Sequence, residues 1–145
     1  MPERVVRQPG LLRHSVAAAE AHGIVLAIEN HIDLLADELV EILETLNSPW
    51  LGVCLDTGNN VALLEHPHDT TALLAPVTFT THIKDMGVEE YPEGFLLSEV
   101  PLGAGFVDLP KVCGAVRKAN PKVRLNLEMI EQSLPAAAEG SRAKL

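Results

Sequence analysis

Apolar residues recur along this chain in two periods, and their alternation predicts four helix-strand units. Leu12, Val16 and Ala19 mark one face of a helix over about residues 11–22, with Gly23 as its stop before an apolar run at 24–29. Leu39, Ile42, Leu43 and Leu46 form the i, i+3, i+4, i+7 stripe of a second helix. Asp37 and Glu38 stand near its start, where the helix dipole favours acids, and Asn47-Ser48-Pro49 ends it. A second apolar run covers 51–56, after which the pattern weakens. A short helix at 61–64 or 69–75 is expected there, with Pro67 breaking the interval. A third run, 77–82, leads into a long loop, 84–108, read as a binding loop or lid because structureless connections of that length are uncommon. Asp108 is expected to cap the last helix, whose Leu109, Val112, Cys113 and Val116 share a face and whose Pro110 suits the first turn. Asn120-Pro121 closes that helix before a fourth run, 124–127.

Each apolar run ends on a side chain that can bind a metal: Glu29, Asp56, His82 and Glu128. Side chains alternate across a strand, so Glu29 shares a face with Ala27 and Val25, Asp56 with Cys54 and Gly52, His82 with Thr80 and Thr78, and Glu128 with Asn126 and Arg124. The other face carries Leu26, Ile28, Val53, Leu55, Phe79, Thr81, Leu125 and Leu127 and is mostly apolar. Strands joined by helices run parallel. An open doubly wound sheet would bury both faces and show more uniformly apolar strands, whereas one small, polar face and one apolar face suit the wall of a barrel, with the four strand ends on its functional rim.

Length changes this picture, because 145 residues fall well short of the roughly 250 of a complete (β/α)8 barrel. Half a barrel is expected. The composition, 47% hydrophobic and 21% charged, is that of a soluble globular protein, and no apolar run approaches a membrane span. Met1 to Arg4 carries no apolar secretory segment, and Cys54 and Cys113 fall in a strand and a helix as small hydrophobes, so a reduced cytoplasmic setting is expected. A net charge of -9 disfavours a nucleic-acid partner.

Five blocks carry a resemblance: Leu26-Ala27-Ile28-Glu29-Asn30, Cys54-Leu55-Asp56-Thr57-Gly58-Asn59, His82-Ile83-Lys84-Asp85, Val100-Pro101-Leu102-Gly103-Ala104-Gly105 and Leu127-Glu128-Met129. In order and spacing they resemble the sugar phosphate isomerase/epimerase family, the xylose-isomerase-like barrels. The resemblance implies that residues 1–130 correspond to the C-terminal half of such a barrel, strands five to eight, with 131–145 a tail or the remnant of a further helix. It also implies one divalent ion (manganese, magnesium or cobalt) on Glu29, Asp56, His82 and Glu128. Glu29 and Glu128 would then act as acid and base across an enediolate of a sugar or sugar phosphate, with Asn30, Asn59 and Lys84 contacting substrate. Three positions depart from the family pattern. Asn59 stands where relatives often carry histidine, which disfavours a multi-metal nuclease site, Thr80 replaces another histidine, and Ala104 replaces an acidic residue between the loop glycines.

Each of these residues has a simpler reading. Glu29 and Glu128 fit solvated strand-end carboxylates, Asp56 an Asx turn before Thr57-Gly58, and His82 a half-buried histidine; Lys84 and Asp85 fit a local pair as well as a substrate mouth. His66-Pro67-His68 is too short and proline-broken for a metal site. Two functional classes follow. One is a metal-dependent sugar isomerase or epimerase whose barrel is completed by a second copy or by a separately supplied N-terminal half. The other is a non-catalytic remnant that keeps the metal-binding half.

Overall fold

The computed structural model describes residues 3–129; the expected tail, 131–145, lies outside the described residues. Four parallel strands form the main sheet: β1 (Leu26–Glu29), β2 (Leu51–Asp56), β3 (Thr78–Ile83) and, last in the chain, β6 (Arg124–Leu127). Helices α1 (Glu3–Ala21), α2 (Ala36–Leu46), α3 (Pro67–Leu74) and α4 (Leu109–Ala119) precede them in turn. The spatial order β1-β2-β3-β6 follows the order along the chain, with no reversal. A doubly wound sheet needs such a reversal at its switch point, whereas a barrel wall adds each strand beside the last. The architecture is a partial (β/α)8 barrel.

The outer face is apolar as expected. Leu26, Ile28, Val53, Leu55 and Leu125 pack with Leu39, Ile42, Leu43, Leu74 and Val116 in one core. Burying a leucine such as the fully enclosed Leu39 contributes about 2 kcal/mol. Helix ends are set locally: Asn47 adopts the left-handed conformation after α2, Gly23 does so after α1, and Asp108 accepts from the Lys111 N–H at 3.1 Å to cap α4. No helix among the described residues is long and apolar enough to cross a membrane.

Four local expectations need correction. Helix α1 reaches back to Glu3, well upstream of residue 11. Pro67 starts α3 instead of breaking it: a 3-10 turn covers Asn59–Leu63, and the His66 side chain accepts from the His68 N–H at the helix entrance. The stretch 84–108 is not structureless, for it contains an antiparallel hairpin of β4 (Asp85–Tyr91) and β5 (Gly94–Val100). Finally, β3 carries a bulge, because Val53 pairs with Thr78 while Cys54 pairs with Thr80. The extra residue, Phe79, breaks the strict alternation. Thr78 therefore faces the helices, buried and donating to the Leu74 carbonyl at 2.9 Å. Phe79 lies on the Gly52 face instead, its ring so close that a Cβ on Gly52 would come within 2.7 Å. Beyond the bulge the expected parity returns.

Candidate metal centre

The four strand ends do not lie in one row. Asp56 on β2 is in register with His82 on β3, and His82 with Asn126 on β6. Glu29 is in register with Cys54, two residues lower, while Glu128 follows β6, two residues beyond Asn126. The residues thus climb like stairs across the sheet, as staggered barrel strands do, and side-chain length closes the remaining gaps. One ligand atom from each of Glu29, Asp56, His82 and Glu128 lies within 4.8 Å of every other. All four sequence-predicted metal ligands are brought together.

Asp56 is held from two sides. Its Oδ1 accepts the N–H groups of Gly58 and Asn59, both at 2.8 Å, which is an Asx turn. Its Oδ2 is buried and makes no hydrogen bond of proper angle, although the Lys84 ammonium is 3.0 Å away. The turn reading of this residue holds at Oδ1, while Oδ2 faces the other candidate donors. His82 Nδ1 is in a like position, 3.2 Å from Glu29 Oε1 and 3.1 Å from Glu128 Oε2, without a well-aligned hydrogen bond to either. An imidazole nitrogen between two carboxylates, beside a buried carboxylate oxygen whose close partner is an ammonium, makes a donor set that suits a divalent cation held by oxygen and imidazole.

Burial pushes the Asp56 carboxyl above its usual range, against the opposing pull of the Gly58 and Asn59 N–H bonds and of Lys84. Burial alone would lower Lys84, but its pairing with Asp56 and Glu99 outweighs it, so the ammonium is held protonated. Cys54, on the inner face just below, is pushed up to about 12 by burial and then by the charges of Glu29, Asp56 and Glu128. It stays a neutral thiol and a small filler.

The three residues expected at the substrate sit differently. Asn30 is buried, and its side chain brackets the neighbouring strand: Oδ1 accepts the Asp56 N–H at 2.8 Å and Nδ2 donates to the Asp56 carbonyl at 2.9 Å. Asn59 donates to Glu29 Oε1 at 3.2 Å, and Lys84 points into the cluster. Asp85 turns away from Lys84 altogether. Its Oδ2 accepts from Gly103 and Gly105, and its Oδ1 from Met86 and Val107, so one carboxylate clamps the whole return of the hairpin. Glu99, at the base of β5, reaches Lys84 at 3.3 Å. It was missed in the sequence because its stretch read as loop; the turn signature Tyr91-Pro92-Glu93-Gly94 was the available signal for a hairpin there.

A family model described as a xylose isomerase-like TIM barrel matches residues 11–144. The chain belongs to that family. This xylose isomerase-like protein is similar to 3-oxo-isoapionate decarboxylase of Pectobacterium atrosepticum, 34% identical over 133 residues, which cover 89% of the chain and 47% of the relative. In fold it is similar to a xylose isomerase-like TIM barrel protein of Mycobacterium smegmatis in complex with magnesium, with a TM-score of 0.74 and 20% identity, covering 88% of this chain and 44% of that one. The IolI protein with a bound zinc atom is similar with a TM-score of 0.66 and 23% identity, over 83% of this chain and 45% of that one. The xylose isomerase-like chain thus spans about half the length of these relatives.

Proposed function

We propose that this protein holds one divalent cation on Glu29, Asp56, His82 and Glu128 and acts on a small polyhydroxylated carbonyl compound, a sugar or sugar phosphate, by isomerisation or epimerisation through an enediolate. The observation that carries this is the convergence of the four donors, with Asp56 Oδ2 and His82 Nδ1 engaged only in charge contacts within the cluster. When bound, the ion supplies Lewis acidity toward a carbonyl oxygen and so favours charge on the enediolate. The chain's own groups do the rest. Glu29 ends one outer strand of the sheet and Glu128 follows the other, and both reach His82 Nδ1, so each carboxylate is placed in the cluster to take or return the proton alpha to the carbonyl. Asn59 orients Glu29, Asn30 holds the Asp56 backbone in place, and Lys84 keeps a positive charge beside the cluster. Magnesium and zinc in similar folds support the metal, and manganese and cobalt suit the same donors. The reading includes a cytoplasmic setting.

One observation favours a second reading of the same site. The relative at 34% identity is a decarboxylase of a 3-oxo acid. Breaking the carboxylate carbon-carbon bond of such an acid releases carbon dioxide and leaves the electron pair as an enolate, the same kind of charge this site would stabilise. Manganese-loaded protein incubated in deuterated water with a panel of ketoses and 3-oxo sugar acids separates the two. Deuterium at the carbon alpha to the carbonyl, without carbon dioxide, supports isomerisation or epimerisation, and carbon dioxide from the acids supports decarboxylation. Metal binding with neither reaction supports a metal-binding half-barrel that needs a partner to complete its pocket.

A further inference from the structure

Lys84 is a buried ammonium set among carboxylates, and it touches two of the oxygens a metal ion needs. Its Nζ lies 3.0 Å from Asp56 Oδ2 and 3.3 Å from Glu128 Oε2. Asp56 Oδ1 is committed to the turn, so Oδ2 is the oxygen left to coordinate, and it is the one Lys84 holds. A divalent ion binds carboxylate oxygens at roughly 2.0–2.6 Å, and an ammonium kept on the same oxygens would stand against it as a second cation at close range. The main chain cannot carry Lys84 away. Thr57 Oγ1 accepts its N–H at 2.9 Å and donates to its carbonyl at 2.6 Å, and the next residue, Asp85, is clamped by four N–H groups. Only the four-carbon stem is free to swing. Within its present reach are Glu99 Oε1 at 3.3 Å and Asn59 Oδ1 at 3.4 Å, and of these Glu99 carries the charge. Glu99 belongs to none of the ligand strands; the hairpin brings it in by pairing it with Met86, beside the chain leaving β3.

We propose that Lys84 is the internal counter-cation of the metal-free site, that a divalent ion displaces its ammonium from Asp56 and Glu128 onto Glu99, and that Glu99 is thereby the positioning residue that tunes metal affinity. This rests on the metal-centre reading above. It gives the hairpin a role at the metal that its sequence does not announce: the ion competes with Lys84 on one side, and Glu99 offers Lys84 an alternative on the other.

The test is manganese titration calorimetry on the intact chain after stripping with chelator, for wild type, Lys84→Met, Glu99→Gln and the double variant. Removing the competitor tightens binding in Lys84→Met by about tenfold, the size of one nearby charge. Glu99→Gln weakens binding several-fold in the wild-type background and has no effect once Lys84 is gone. If Lys84→Met lowers the folded fraction by circular dichroism, Lys84→Gln replaces it. Equal weakening by Glu99→Gln in both backgrounds, or no tightening on loss of the Lys84 charge, overturns the proposal while leaving the metal centre intact. Absence of manganese binding in wild type and Lys84 variants alike overturns both.

Discussion

At the scale of single residues, Asp56 divides two tasks between its oxygens: one fixes the chain after β2, and the other faces the ligand cluster. Asp56→Asn keeps an oxygen for the turn and removes the charge. In a thermal melt, manganese at about a hundred times its dissociation constant raises the wild-type midpoint by roughly 5–10 °C, and Asp56→Asn loses most of that rise. The sign of the pH effect follows from burial. Because the folded-state carboxyl is raised above its ordinary value, the folded state holds its proton more tightly than the unfolded chain does. That favours the metal-free fold at low pH, and the contribution is lost as pH rises through the raised value. A bound cation requires the ionised form, so its stabilisation runs the other way, largest near neutral pH and shrinking on acidification through that value. A manganese-induced rise that grew on acidification, or survived in Asp56→Asn, would remove Asp56 from the ligand set.

At the scale of elements, the hairpin depends on a clamp at its root. Phe106 N–H donates to the Met86 carbonyl, and the Asp85 carboxylate gathers the backbone of Gly103, Gly105 and Val107. A side chain on Gly105 would run into the Asp85 carboxylate and the Met86 carbonyl. Gly105→Ala is therefore expected to cost about 1–3 kcal/mol in a urea titration and to raise hydrogen exchange over β4 and β5 more than over β2. Unchanged exchange in the hairpin would show that the clamp does not hold it. The strands and helices of the main sheet were legible in the sequence because one period repeats over several residues, as in Leu39, Ile42 and Leu43, all buried on α2. The cluster of four candidate donors was legible for a related reason, since each member ends an apolar run. The hairpin was not, because its strands are mostly exposed and carry no consistent inward face. Nor was the turnover of Thr78 and Phe79: a bulge depends on room left by the partner strand at Gly52, and no periodicity within β3 reveals it. Asn30 beside Glu29 suggested a ligand contact, whereas its amide is spent on Asp56, because pairing across strands is invisible in a linear reading.

At the scale of the whole molecule, the inner face of the sheet lies open. Ala27, Arg124 and Asn126 are exposed on it, Ile24 and Val25 are uncovered before β1, and Leu127 is 64% exposed at the far edge. Among the described residues β1 pairs only with β2, and β6 only with β3. Free strand edges of this kind invite another chain. In isolation the protein is expected to scatter light as a dimer of twice 15.6 kDa, two copies closing an eight-stranded wall with Arg124 meeting an acid or water, or else to be poorly soluble. A soluble monomer with slow hydrogen exchange on β1 and β6 would refute this. The stair-like register has a different consequence. Since all four donors climb across four contiguous strands, the candidate metal-binding unit is not dispersed around a circle, and one continuous stretch of gene encodes it. Such a stretch can be recombined beneath different opposing halves, each bringing its own loops to the mouth. On the proposed function, new substrates would then arise by exchange of the partner half while the donor set was inherited unaltered.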